Sequence, residues 1–326
     1  MRRRELILGL GGAMIAAVAP GRAQQKPMPV VGYLSTIVSF PALLDELRRG
    51  LQEMGFVEGQ NVRIEYRMAA GDYERLPSLA AELVRLPVDV IVAAGGSLSG
   101  MAAKAVTSTV PIVVVSGEDP VKLGLAQSLA RPGGNLTGVS QLVVAADAKR
   151  LELLHELVPA AGRIAHLVNP TNAEAERRAG ELSSAARTLG LDLAFLKASK
   201  SEDFAAVFDT IGRQGLRALN VGADPFFVTA RDEVVALAQR HAVPTMYFFR
   251  EFVTAGGLIS FGSKLSGAYH QVGIYTGRIL KGAKPSDLPI VQQSEQLELV
   301  INLKTAEALH LPVPPTLRAR ADEVIE

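Results

Sequence analysis

Short apolar runs rich in β-branched residues recur along the chain, each followed by a polar or glycine-bearing loop and then by a stretch with helical spacing. In the sharpest case Val88-Asp89-Val90-Ile91-Val92-Ala93-Ala94 breaks into Gly95-Gly96-Ser97 and continues into Met101-Ala102-Ala103-Lys104-Ala105. Such a run predicts a strand buried on both faces, as in a parallel sheet, leading through a loop into a helix N-terminus. Residues 30–34 and 111–115 predict strands of the same kind, and 62–66 alternates apolar and polar. Between them Leu43, Leu47, Leu51 and Met54 share one helical face that starts at Pro41 and stops at Gly55, and Leu76, Leu79, Leu83 and Leu86 share another.

The same order then returns. Strands are predicted at 163–168, 191–196, 216–221 and 243–247, with helices at 173–189, 204–212 and 229–241 between and after them. The two halves correspond across an offset of about 130 residues, the size of a domain rather than of a solenoid repeat. Alternating strands and helices imply a parallel sheet wound on both sides, so the expected class is α/β, two doubly wound parallel-sheet lobes joined by a multi-strand hinge. A strand at 256–262, a helix at 269–280, a strand at 297–302 and a short helix at 304–309 complete the pattern. Shared between the lobes, they give one lobe of 28–139 plus 256–289 and another of 140–255 plus 290–326, with crossings near 139–140, 251–256 and 288–291. Several crossings make a hinge that permits closure and limits other motion.

At 326 residues, 48% hydrophobic and 21% charged, the chain can fill two ordinary globular cores. Its net charge of +1 conceals an asymmetry: the first 23 residues carry a net +3 in Arg2, Arg3, Arg4 and Arg22 against Glu5, leaving −2 elsewhere. No basic stretch remains to bind nucleic acid. Those first residues form a charged start, an apolar 6–18 too short to span a bilayer, and Gly21-Arg22-Ala23 before Gln24, the pattern of a cleaved signal peptide. Arg3-Arg4 is compatible with twin-arginine as well as Sec export. There is no cysteine, hence no disulfide, no zinc–thiolate site and no lipidated leader. The expected location is the periplasm.

Candidate chemistry is sparse. The histidines, His155, His166, His241, His270 and His310, have no metal-ligand spacing, and neither a P-loop nor a G-x-G-x-x-G fingerprint occurs, so no metal or cofactor is expected. Gly95-Gly96-Ser97-Leu98-Ser99-Gly100 approaches a nucleophile elbow, and Ser97, Asp224 and His241 follow the hydrolase order, which leaves a secreted serine hydrolase as the alternative. Otherwise the chain offers polar loops at strand ends. Ser35, Thr36, Gly96, Ser97 and Asp119 belong to one lobe, Asn169, Thr171, Asp224 and Tyr247 to the other, with Phe40 and other aromatics beside them. This set suits a small zwitterion: hydroxyls and helix-start N–H groups for a carboxylate, Asp224 or Asp119 for an ammonium, aromatics for a side chain. Asp224 before Pro225 also has the form of a helix cap, and the phenylalanines that of core residues.

Longer motifs carry a family resemblance over essentially the whole chain after the leader. They are Val30-Val31-Gly32-Tyr33-Leu34, Arg131-Pro132-Gly133-Gly134-Asn135-Leu136-Thr137-Gly138, the Asn169-Pro170 loop, Ala255-Gly256-Gly257-Leu258-Ile259-Ser260-Phe261-Gly262, Ile279-Leu280-Lys281-Gly282-Ala283-Lys284-Pro285, and Leu299-Val300-Ile301-Asn302-Leu303-Lys304-Thr305-Ala306. In these the chain resembles the substrate-binding proteins of ABC importers of the tryptophan/tyrosine type, which have the type I periplasmic binding protein fold. The resemblance implies a non-enzymatic, monomeric protein that holds a small ligand between its lobes, at loops like those of Ser35-Thr36, Gly96-Ser97, Asp119, Asn169-Pro170-Thr171 and Asp224. It also implies delivery to an inner-membrane permease with a cytoplasmic ATPase. A periplasmic sensor using the same closure fits the residues equally. Phe261 stands where the family's strand carries a tyrosine, so a hydroxyl is lost there.

Overall fold

The computed structural model describes residues 28–326 apart from 39, 142 and 294–296; the expected leader, 1–23, lies outside the described residues. The first lobe opens with β1 (Val30–Ser35), α1 (Pro41–Glu53), β2 (Arg63–Met68), α2 (Leu76–Arg85), β3 (Val90–Ala94), α3 (Ser97–Val106), β4 (Ile112–Ser116) and β5 (Leu136–Ser140). The second contains α4 (Asp147–Leu157), β6 (Arg163–Val168), α5 (Ala175–Thr188), β7 (Asp192–Lys197), α6 (Asp203–Arg213), β8 (Leu219–Val221), α7 (Pro225–Thr229), α8 (Arg231–Arg240), β9 (Thr245–Tyr247) and α9 (Arg250–Thr254). The chain continues through β10 (Ile259–Ser263), α10 (Leu265–Leu280), β11 (Val291–Gln292), β12 (Leu297–Asn302), α11 (Leu303–Ala308), α12 (Pro315–Ala319) and β13 (Glu323–Ile325).

One sheet runs β11-β5-β4-β3-β1-β2 and the other β13-β12-β10-β9-β8-β6-β7, so β2-β1-β3-β4-β5 and β7-β6-β8-β9-β10 repeat one winding. All pairings in the first sheet are parallel, and in the second only β10 with β12 is antiparallel. Every residue of β3 and β4 is buried, as their unbroken apolar runs require of strands covered by helices on both faces. The edge strands β2 and β7 keep polar, half-exposed positions. No helix among the described residues is long and apolar enough to cross a membrane.

Two boundaries differ from the sequence expectation. The strand expected at 256–262 in the first lobe is β10 (Ile259–Ser263) of the second sheet, between β9 and β12. The chain crosses only after it, and α10 lies on the first lobe. The close contact that fixes α10 there is glycine to glycine. A Cβ on Gly50 would stand 2.2 Å from the His270 carbonyl oxygen, and one on Gly273 2.2 Å from that of Leu47, so only glycines let α1 and α10 touch backbone to backbone. The third crossing also comes later than 288–291, because β11 pairs with β5 at the edge of the first sheet. Apolar alternation reports that a strand is buried but not which sheet it joins.

The crossing segments are tied to one another. Ser263 Oγ donates to the Gln141 carbonyl, and the Gln293 N–H donates to the Ser140 carbonyl at 3.0 Å. Arg150, fully buried, donates to the Val143 carbonyl at 2.7 Å and the Phe261 carbonyl at 3.0 Å and pairs with Asp147. One guanidinium thus staples the first crossing to the strand that leads into the second.

Candidate functional site

The carboxyl ends of both sheets face a cleft of about 670 Å³, counting the part open to solvent. From the first lobe come Ile37, Gly95, Gly96, Ser97, Leu98 and Glu118; from the second come Asn172, Arg178, Asp224, Pro225, Phe248 and Phe249; α10 adds Leu265 and Tyr269, and the hinge adds Gln141 and Val143.

On the first lobe the glycine loop does what its composition suggests. Gly95 (φ +77°) and Gly96 (φ +115°) adopt backbone conformations open to glycine, and a Cβ on Gly95 would meet Thr36 Oγ1 at 2.4 Å. The loop delivers the start of α3 to the cleft, where the N–H groups of the first turn lack intrahelical acceptors. Ser97 Oγ lies 2.8 Å from Ser116 Oγ. Ser116 Oγ and Ser140 Oγ both donate to the backbone carbonyl of Glu118, at 2.7 and 3.2 Å. The Glu118 backbone is therefore fixed, while its carboxylate points at the cleft. That carboxylate pairs across the cleft with Arg178 of α5 and has no other donor among the described residues. Arg178 Nη1 also donates to the Ala223 carbonyl at 2.9 Å, its Nε has no acceptor among the described residues, and burial lowers its pKa from the ordinary value.

The second lobe is arranged differently. Asp224 caps α7, accepting from the Phe226 N–H at 3.0 Å. It also accepts from Asn169 Nδ2 at 3.0 Å, from Asn172 Nδ2 at 2.7 Å and from the Tyr73 hydroxyl of the first lobe. Tyr73 in turn accepts from the Phe226 N–H at 2.9 Å, and burial, reinforced by the Asp224 charge, pushes its phenol far above the ordinary range. Asn169 Oδ1 accepts from the N–H and hydroxyl of Thr171, at 3.1 and 2.8 Å, shaping that loop. Behind this network a second polar cavity is lined by His166, Asn169, Asn172, Arg178 and Asp224. His166 is buried there with Asn220 Nδ2 at 3.0 Å from its Nδ1, and burial lowers its pKa to about 4.

Of the residues expected at the site, Gly96, Ser97 and Asp224 line the cleft. Ser35 and Thr36 lie buried just behind the glycine loop and support it, Thr36 through a hydrogen bond to the Gly95 carbonyl. Asn169 lines the second cavity, and Thr171 is exposed on the same loop. Phe40 sits outside the cleft lining, under the Arg231 guanidinium at 4.9 Å, an aromatic–cation contact between the lobes. Asp119 turns away and accepts from the Val121 N–H at 2.9 Å; its neighbour Glu118 faces the cleft instead. Tyr247 is wholly buried, stacked on Phe252 at 4.8 Å, and belongs to the core. Phe226 and Phe227 are likewise buried around Phe204. The triad order is not realised in space. His241 caps α8 beside Phe208 and does not line the cleft, while the Ser97 hydroxyl faces Ser116.

Sequence reasoning placed the Ser116–Asp119 loop at the cleft but chose Asp119 rather than Glu118 from it, and it did not single out Arg178, Asn172, Phe249 or Tyr269. One signal was available for Arg178: it lies three residues after Ala175 and four before Leu182, on the buried face of α5, where an arginine needs a reason.

Residues 34–325 match the profile of a family described as ABC transporter substrate binding protein. The chain is 27% identical over 283 residues to a tyrosine-binding protein of Clostridioides difficile, covering 85% of this chain and 80% of that one. It resembles the crystal structure of a conserved domain protein from Vibrio cholerae with a TM-score of 0.81 at 28% identity, covering 91% of this chain and 99% of the other. An ABC domain in complex with L-Trp from Streptococcus pneumoniae gives a TM-score of 0.78 at 25% identity, with the same 91% and 99% coverage. The two-lobed fold is that of type I periplasmic binding proteins.

Proposed function

This chain belongs to the ABC transporter substrate binding protein family, whose members bind small solutes and are not enzymes, and on that premise we propose that it captures an amino acid or a related aromatic or apolar carboxylate for import. The observation that carries this reading is the inter-lobe cleft, where a helix N-terminus and a buried charge pair stand beside Phe248, Phe249 and Tyr269. Gly96, Ser97 and the first turn of α3 offer N–H donors to a carboxylate. The aromatics take an apolar side chain. Asp224, Asn169 and Thr171 hold the opposing wall in shape. The names of two relatives, one binding tyrosine and one holding L-Trp, support an aromatic α-amino acid.

In this reading the solute favours the closed form because it touches both lobes only there, and closure is a population shift about the stapled crossings. The closed protein, a periplasmic monomer released from a cleaved leader, then hands the solute to an inner-membrane permease driven by a cytoplasmic ATPase. Thermal-shift measurements against the L-amino acids and aromatic acids test the binding step. A solute at a hundred times its Kd should stabilise the fold by about 2.7 kcal/mol, a rise of several degrees in Tm. A panel without any stabilising member would overturn the reading. N-terminal sequencing of the exported protein should begin at Gln24; a start at Met1 would remove the leader.

A further inference from the structure

Glu118 is a buried carboxylate, 6% exposed, aimed into the cleft with the Arg178 guanidinium as its charge partner and no other donor to its oxygens among the described residues. Arg178 likewise has a donor at Nε without an acceptor among the described residues. A pair buried in this way, with hydrogen-bonding capacity unused on both sides, is poorly compensated for its desolvation. The two groups also come from different lobes, so their contact exists only while the lobes are together. By contrast the oxygens of Asp224, at 5% exposure, receive hydrogen bonds from Tyr73, Asn169, Asn172 and the Phe226 N–H. An incoming cation finds Asp224 held by four donors, whereas at Glu118 it has a single guanidinium to displace.

We propose that Glu118 and Arg178 form a latch across the ligand-free cleft that exchanges its partners on binding, Glu118 taking the solute's ammonium and Arg178 its carboxylate. This rests on the reading that a small organic solute enters the cleft, and it narrows the class to zwitterions. A singly charged acid can replace Glu118 at Arg178 but leaves Glu118 buried without a counter-charge; an amine does the reverse. Only a molecule bearing both charges releases both groups without stranding one. The charge pair is thus a selectivity device as well as a contact.

The test combines a binding series with a ligand-free measurement. Each L-amino acid that stabilises the wild-type protein is titrated beside its deaminated and decarboxylated counterparts, for tyrosine 3-(4-hydroxyphenyl)propionate and tyramine. The wild type should prefer the zwitterion to either counterpart by tenfold or more. Glu118→Gln should weaken the zwitterion at least tenfold while leaving the deaminated acid equal or tighter, and Arg178→Gln should shift the preference the other way, towards the amine. Without ligand, both variants should show a larger radius of gyration in solution scattering than the wild type, since the latch is gone. Equal binding of acid and zwitterion by the wild type, or an equal loss for both in Glu118→Gln, would overturn the exchange while leaving solute binding intact. An unchanged radius of gyration in both variants would overturn the latch. Should no amino acid or organic acid bind, the underlying reading fails too, and the scattering still decides the latch by itself.

Discussion

Asp224 on one wall of the cleft and Glu118 on the other are carboxylates of almost equal burial at the carboxyl ends of strands, yet they are held in opposite ways. Asp224 is saturated by its own lobe and by Tyr73 and has become part of the scaffold that shapes the Asn169–Thr171 loop. Glu118 is fixed only through its backbone, by two serine hydroxyls, and its carboxylate meets one guanidinium from the far lobe. Burial alone thus does not separate a structural acid from a functional one. The number and origin of the donors do.

The contrast breaks most visibly under mutation. Asp224→Ala removes a helix cap and strands two buried amides and a phenol, so urea unfolding should show a loss of about 4 kcal/mol. A loss under about 1 kcal/mol would deny Asp224 its scaffold role. Protonation behind the same wall is the next largest effect. His166 has its pKa lowered by burial from 6.5 to about 4, so between those values the unfolded chain binds more protons than the folded one. Its stabilising contribution is therefore present above pH 6.5 and lost as pH falls towards 4, amounting to at most about 3 kcal/mol. Unfolding free energies across that window should slope upward with pH, and His166→Asn should flatten the slope. Gly96→Ala probes the seam between the walls. Its Cβ would lie 3.3 Å from Pro225 Cγ of the other lobe at a φ of +115°. Backbone strain of about 1–2 kcal/mol should appear in stability, with a severalfold weaker affinity by calorimetry. Glu118→Gln should move global stability least, by about 0.5 kcal/mol or less, because the lobes can part and hydrate Arg178. A loss comparable to that of Asp224→Ala would place Glu118 in the scaffold as well.

Much of this architecture is written in local pattern. The apolar runs of β1, β3, β4, β6 and β9 and the glycine loop before α3 are readable because burial on both faces and positive φ each leave a residue-level mark. The cap at Asp224 is readable in the Asp-Pro pair, one of two roles that the residues allowed it. Sheet membership of 256–262 is not, since it depends on where α10 can lie, and that depends on Gly50 meeting Gly273 far away in the chain. Neither is the choice between Glu118 and Asp119. Adjacent acids in one loop differ only in the direction the turn gives them, and Ser116 and Ser140 set that direction from different strands. Tyr247 misled because a tyrosine at a strand end fits a site and a core equally well.

The glycine contact between α1 and α10 has a mechanical consequence. At about 1.5 Å per residue α10 is a rod some 24 Å long. One end, with Leu265 and Tyr269, touches the cleft, and its middle is welded to α1. In the closure proposed above, the first lobe would turn as a single plate, with little change to its outer relief when the cleft fills. For anything docking on that lobe from outside, the change would then lie in its distance from the second lobe. A docking partner would have to work as a caliper, reading the distance between the lobes rather than the shape of either.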